Sequence, residues 1–164
     1  MKKSNAKSTV VKAEMDANSR ALYFSVKNGD LVEVKRLLLI SDATIQDEYG
    51  STALMIAAMN GRCNIVQALL PLRNANATDA WGRTALMCAA FYGHRDVVEI
   101  LMSASDATIR GKDGKNAADW ARDNGHVGVA NFIDSDALSK AERAALSSVS
   151  ESPALKSRAR PLSL

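Results

Sequence analysis

Gly50-Ser51-Thr52-Ala53-Leu54-Met55-Ile56-Ala57-Ala58 and Gly82-Arg83-Thr84-Ala85-Leu86-Met87-Cys88-Ala89-Ala90 are nearly the same segment, written twice 32 residues apart. The likeness extends well beyond this stretch. Gly29, Gly61, Gly93 and Gly125 keep the same step, as do Gly50, Gly82 and Gly114. So do Leu22, Leu54 and Leu86, and Leu37, Leu69 and Leu101. A constant period of this length, held from Asn18 to Ile133 without a gap, marks a repeat architecture.

Each unit has the same physical reading. Asp47-Glu48-Tyr49-Gly50 has turn composition, with Gly free to take positive φ. Thr52 and Thr84 stand where a hydroxyl caps a helix start. A short helix is expected over 53–59 and 85–91, and its Ala57, Ala58, Ala89 and Ala90 let neighbouring backbones approach. Gly61 and Gly93 end it. A second helix is expected over 64–70 and 96–102, with Ile65, Val66, Leu69 and Val97, Val98, Leu101 on one stripe. Asn74 and Asp106 follow it, as Asp42 does in the unit before, and suit the backbone that closes a helix. One unit of turn, helix, reversal, helix and loop cannot bury its own apolar face, whereas stacked units bury each other's.

The two ends differ from the middle, as a stack requires. Asp134 takes the place held by Leu38, Leu70 and Met102. At the front, Met15 and Asn18 replace the turn Asp and Gly, and Tyr23 and Phe24 give bulk to a capping helix. Gly128 is expected to weaken the last helix and let it fray.

On these motifs the chain resembles the ankyrin-repeat proteins over residues 17–133. The likeness is carried by Thr52–Ala57 and Thr84–Ala89, by Gly93-His94 and Gly125-His126, and by Val97-Val98-Glu99-Ile100-Leu101. Asp42-Ala43, Asn74-Ala75 and Asp106-Ala107 stand where the family has Gly-Ala. The unit is one residue short of the family's ~33. Ala53 and Ala85 replace the family's Pro, and Met55 and Met87 its His, whose hydrogen bond is then lost. The resemblance implies an all-α ankyrin-repeat solenoid of about four helix-turn-helix units with short hairpin loops. Its repeats would fall at 17–46, 47–78, 79–110 and 111–133.

The same resemblance implies a protein-protein interaction module, an adaptor or a regulatory subunit. In that family the partner lies in the concave groove made by hairpin tips and first helices. Carried over residue by residue, the groove positions are Glu48, Tyr49, Ser51, Met59 and Asn60 in the second unit. In the third they are Ala80, Trp81, Arg83, Phe91 and Tyr92, and in the fourth Lys112, Asp113, Lys115, Asp123 and Asn124. Tyr49, Trp81, Phe91 and Tyr92 are half of the chain's aromatic residues. Rings held in water on one surface are typical interface anchors. Trp120 and Phe132 are expected to pack in the core instead.

The 164 residues are 47% hydrophobic and 24% charged, enough for one core. No run approaches the ~20 apolar residues of a membrane helix. The basic start lacks the apolar stretch of a secretory signal. Cys63 and Cys88 lack metal-ligand spacing, and a reducing cytosol is the expected compartment. His94 and His126 hold one position in adjacent units, and helices ~8–10 Å apart would not let both ligate one metal. Asp47 and Asp79 are turn residues and not a catalytic pair. No phosphate-cradling loop and no nucleophile beside a base is found. No catalytic residue, cofactor or metal is assigned.

The ends are read by composition. Residues 1–16, with Lys2, Lys3, Lys7 and Lys12, are expected to form a disordered arm. Residues 134–149 are expected to form a C-terminal capping helix, with Asp136 as its cap and Leu138, Ala141, Ala145 and Val149 on one face. Residues 150–164 are expected to form a disordered basic tail, in which Arg158, Arg160 and Ser163 resemble a kinase acceptor. An alternative function uses these basic ends on nucleic acid or an acidic membrane surface. The net charge of +3 and the few aromatics argue against a nucleic-acid platform. A monomer is expected.

Overall fold

Thr52 and Thr84 set the architecture. Each adopts extended backbone, and its hydroxyl accepts a hydrogen bond from the amide of Met55 or Met87. The computed structural model describes residues 17–40, 46–72 and 74–150, and the regular structure among them is helical. The helices are α1 (Ala17–Asn28), α2 (Leu31–Leu38), α3 (Ala53–Met59), α4 (Cys63–Leu69), α5 (Ala85–Phe91), α6 (Arg95–Met102), α7 (Ala117–Asp123) and α8 (Val127–Ser150). A 3₁₀ turn, Leu70–Leu72, follows α4.

These helices form two layers. The first helices α1, α3, α5 and α7 pack in sequence, and the second helices α2, α4, α6 and α8 pack in sequence behind them. The repeated leucines fill the space between. Leu22, Leu54, Leu86, Leu37, Leu69 and Leu101 are each at most 2% exposed. Burying each such side chain is worth roughly 1.5–3 kcal/mol. Ala57, Ala58, Ala89 and Ala90 are wholly buried, so the first helices approach closely because these side chains are small.

The hairpin turns are built from one carboxylate each. Asp47 Oδ1 accepts from the amides of Tyr49 (2.9 Å) and Ser51 (2.7 Å). Asp79 Oδ1 accepts from those of Trp81 and Arg83 (both 2.9 Å). Gly50 and Gly82 follow at φ +77° and +78°, where a Cβ would be strained. Successive tips are tied by backbone: the Ala80 amide donates to Tyr49 O (2.9 Å) and the Lys112 amide to Trp81 O (3.0 Å). The tips are therefore held in register from one repeat to the next.

Several expectations need correction. Helices α4 and α6 begin at Cys63 and Arg95, one residue earlier than expected, because nothing after the glycine delays them. The hydrogen bond expected to be lost at Met55 is partly kept, since its sulfur accepts from the Thr52 amide at 3.5 Å. Asn74 and Asp106 close their loops through their side chains, which accept from the amides of Asn76 (3.0 Å) and Thr108 (2.9 Å). The helix expected at 134–149 does not start anew. It is the continuation of α8, which passes through Gly128 and Asp134 unbroken. Asp136 therefore caps nothing and pairs with Lys140 at 2.9 Å. Asp42, the arm at 1–16 and the tail from 151 onward lie outside the described residues.

Cys88 is buried on α5, and that burial pushes its thiol up to about 12 from an ordinary value near 9.0. Cys63 is only half-buried at the start of α4. In the native chain a thiol reagent at pH 8 is expected to titrate one cysteine quickly and the second at the rate of unfolding. Equal rates would contradict the burial. The folded thiol keeps its proton while an unfolded one loses it. The Cys88 contribution to stability is thus complete below about pH 9 and falls as pH rises toward about 12.

Candidate protein-binding groove

Tyr49 and Trp81 stand at neighbouring hairpin tips, 53% and 50% exposed. Their rings stack with centroids 5.8 Å apart and planes 22° from parallel. The Arg83 guanidinium lies 4.7 Å from the Trp81 ring centre, and its Nε donates to Asp79 Oδ2 at 2.7 Å. Asp79 is itself buried, with its other oxygen on the Trp81 and Arg83 amides. A single turn carboxylate thus fixes both the ring and the cation beside it.

A second group of rings lies at the far end of the first helices. Phe91 meets Tyr92 edge-on at 4.9 Å and Trp120 edge-on at 5.4 Å. Tyr92 is 49% exposed, while Phe91 is half-buried. Met59, Arg83, Cys88, Phe91, Tyr92 and Trp120 line one hollow. Arg83 belongs to both groups, so the surface from Tyr49 to Trp120 is continuous.

In the fourth repeat Lys115 reaches Asp123 at 2.7 Å and lies 5.5 Å over the Trp120 ring. Asp119 accepts from the Asn116 amide and pairs with Arg122 and Arg110. The Asn116 amide first, and these guanidiniums with it, hold its carboxyl below the usual carboxylate range. Glu48, Ala80, Lys112 and Asp113 are exposed. Asn60 and Asn124 are exposed too, but each side chain donates back to its own helix, to Ile56 O and Trp120 O at 2.8 Å.

Ser51 departs from expectation. It is buried, its amide bound by Asp47 and its carbonyl accepting from the Tyr23 hydroxyl at 2.6 Å. Its counterparts Arg83 and Lys115 are long enough to emerge, whereas a serine is covered at that depth. Burial first, and the Asp47 carboxylate second, keep the Tyr23 phenol protonated well above the ordinary tyrosine range.

Trp120 holds a repeat position that reads as core. It does pack against the core, yet it also walls the hollow with Phe91. Phe24, Ile56, Cys88 and Trp120 share one repeat position. Only Cys88 is fully buried there, and Phe24 is 67% exposed. The constant step carried this signal. The bulk of the side chain decides whether it stays in the slot or spills onto the surface.

The histidines act as spacers between repeats. His94 Nε2 lies 3.1 Å from Met59 O, and its ring sits where a Cβ on Gly61 would be, 2.9 Å from Nδ1. His126 sits likewise under Gly93. Among the described residues no group of three or more His, Cys, Asp or Glu could hold a metal ion, and no helix is long and apolar enough to cross a membrane.

The family model for ankyrin repeats matches the chain in three overlapping stretches, residues 4–79, 22–113 and 72–140. No curated protein matches it significantly. The capped first helices, the glycine reversals, the two-layer stack and the matched stretches agree, and this chain belongs to the ankyrin-repeat family.

Proposed function

We propose that the chain is an adaptor or regulatory subunit that holds a partner protein on the concave surface running from Tyr49 to Trp120. Ankyrin repeats generally serve as protein-protein interaction modules. The observation that carries the reading further is the set of half-exposed rings, Tyr49, Trp81 and Tyr92, joined into one surface by Arg83. Ring surface left in water is costly unless a partner covers it. Rigid aromatics flanked by a positioned arginine are the residue types that dominate interface energetics. Met59 adds an adaptable apolar contact. Glu48, Asn60, Lys112 and Lys115 would form the polar rim, where single charges contribute little.

The test compares the full chain with its Trp81→Ala, Tyr92→Ala double variant. Both substitutions lie on exposed side chains, so far-UV circular dichroism and thermal unfolding should stay close to the parent. A partner captured from native extract by the parent should bind the double variant at least tenfold more weakly, since one hot spot carries about 2 kcal/mol. Undiminished affinity in a folded double variant would sink the proposal.

A further inference from the structure

We infer that the groove selects a partner segment carrying a carboxylate among apolar residues, and that this carboxylate docks on Arg83. The inference rests on the groove reading above and adds the chemistry of its ligand.

The repeats supply an internal comparison. Arg83 and Lys115 occupy the same position, 32 residues apart. Across the groove from them, Asp123 in the fourth repeat corresponds to Phe91 in the third. Lys115 therefore finds its carboxylate within the chain, at 2.7 Å. Arg83 has a phenylalanine in that place. Its Nε is taken by Asp79, but its two terminal nitrogens have no hydrogen-bond partner among the described residues. They belong to a half-buried guanidinium held over Trp81, so little entropy remains to be lost on binding.

The rest of the hollow points the same way. The Trp120 ring walls it with aromatic surface. Phe91, Met59 and Cys88 are apolar, and Met59 O is already engaged by His94. A guanidinium in an otherwise oily hollow complements an anionic acceptor on an apolar segment. A carboxylate matches the planar guanidinium fork, and its neighbours cover the rings.

A random peptide library displayed on phage is panned on the full chain, on Arg83→Gln, on Arg83→Lys and on the Trp81→Ala, Tyr92→Ala variant. Thermal unfolding confirms that each is folded, and Arg83→Lys retains a cation for Asp79. Clones from the parent should carry an Asp or Glu flanked by apolar residues. Replacing that acid by its amide should weaken binding to the parent about tenfold or more, with a far smaller loss on Arg83→Gln. The lysine variant should fall between. Ring-dependent clones with no acidic preference would overturn the carboxylate inference and leave the groove reading standing. The same is true of an acid whose removal costs equally on the parent and on Arg83→Gln. Clones indifferent to the loss of both rings would overturn the groove reading itself.

Discussion

Gly93→Ala is expected to lower the unfolding free energy by about 3 kcal/mol. Two separate effects contribute. Gly93 sits at φ +72°, and placing an L side chain there costs roughly 1–2 kcal/mol. The added Cβ would also lie 2.5 Å from His126 Nδ1, closer than real Cβ contacts come. Overpacking of this kind costs typically ~1–3 kcal/mol. His126 is anchored at its backbone, its amide bound to Ala121 O at 2.8 Å, so only a turn of its ring can relieve the contact.

Gly125 provides the control. It has φ +80° and nothing within 4 Å of its would-be Cβ. Gly125→Ala should therefore show the backbone cost alone, about half the loss at Gly93. Urea titrations of both variants, with unchanged slope and shifted midpoint, give the comparison. A His126→Ala background should reduce the Gly93→Ala cost to that of Gly125→Ala. Equal losses at the two glycines in the parent would show that the ring gives way freely. The histidine would then not be the spacer described above.

The division between what the sequence revealed and what it concealed follows from the range of the forces involved. Helices α3 and α5 have the bounds expected of them, since a Thr cap and a Gly stop act within one turn of the chain. The buried stripe Ile65, Val66, Leu69 and its copy on α6 were legible for the same reason. The run-on of α8 was not. Asp134 looked like a polar end, but a polar residue breaks no helix, and Asp134 is satisfied from outside by Arg122. Ser51 and Trp120 failed in opposite directions. The repeat step gives each the right address, but depth depends on side-chain length. Serine is too short to emerge where arginine and lysine do, and an indole is too large for the slot that holds Cys88. The Tyr49–Trp81 stack joins two residues whose places in the repeat the step gives. Whether the two rings meet depends on how far one tip is offset from the next, which no local pattern encodes.

Leu86→Ala is expected to cost the stack about 3–4 kcal/mol, within the ~2–5 measured for buried leucines generally. Leu86 is 1% exposed in the first turn of α5, between two filled repeats. Neither neighbour can relax into the gap, because Leu54 on one side is fixed in the same way and Ala118 on the other is already small. The lost methyl groups and the cavity therefore add. The same exchange at Leu138 or Leu146, 65% and 72% exposed on α8, should leave stability within about 0.5 kcal/mol. Chemical denaturation of the three variants separates burial from chemistry, since the atoms removed are identical. Helix α5 also carries Phe91 at its end and begins beside Arg83, so a collapse of Leu86's site would misplace the hollow that those residues line. Leu86→Ala should thus weaken partner binding below its unfolding midpoint, although residue 86 touches no ligand. A loss below about 1 kcal/mol at Leu86 would mean that the layers close around the gap. The interlocked packing that positions the proposed binding surface would then have to be abandoned.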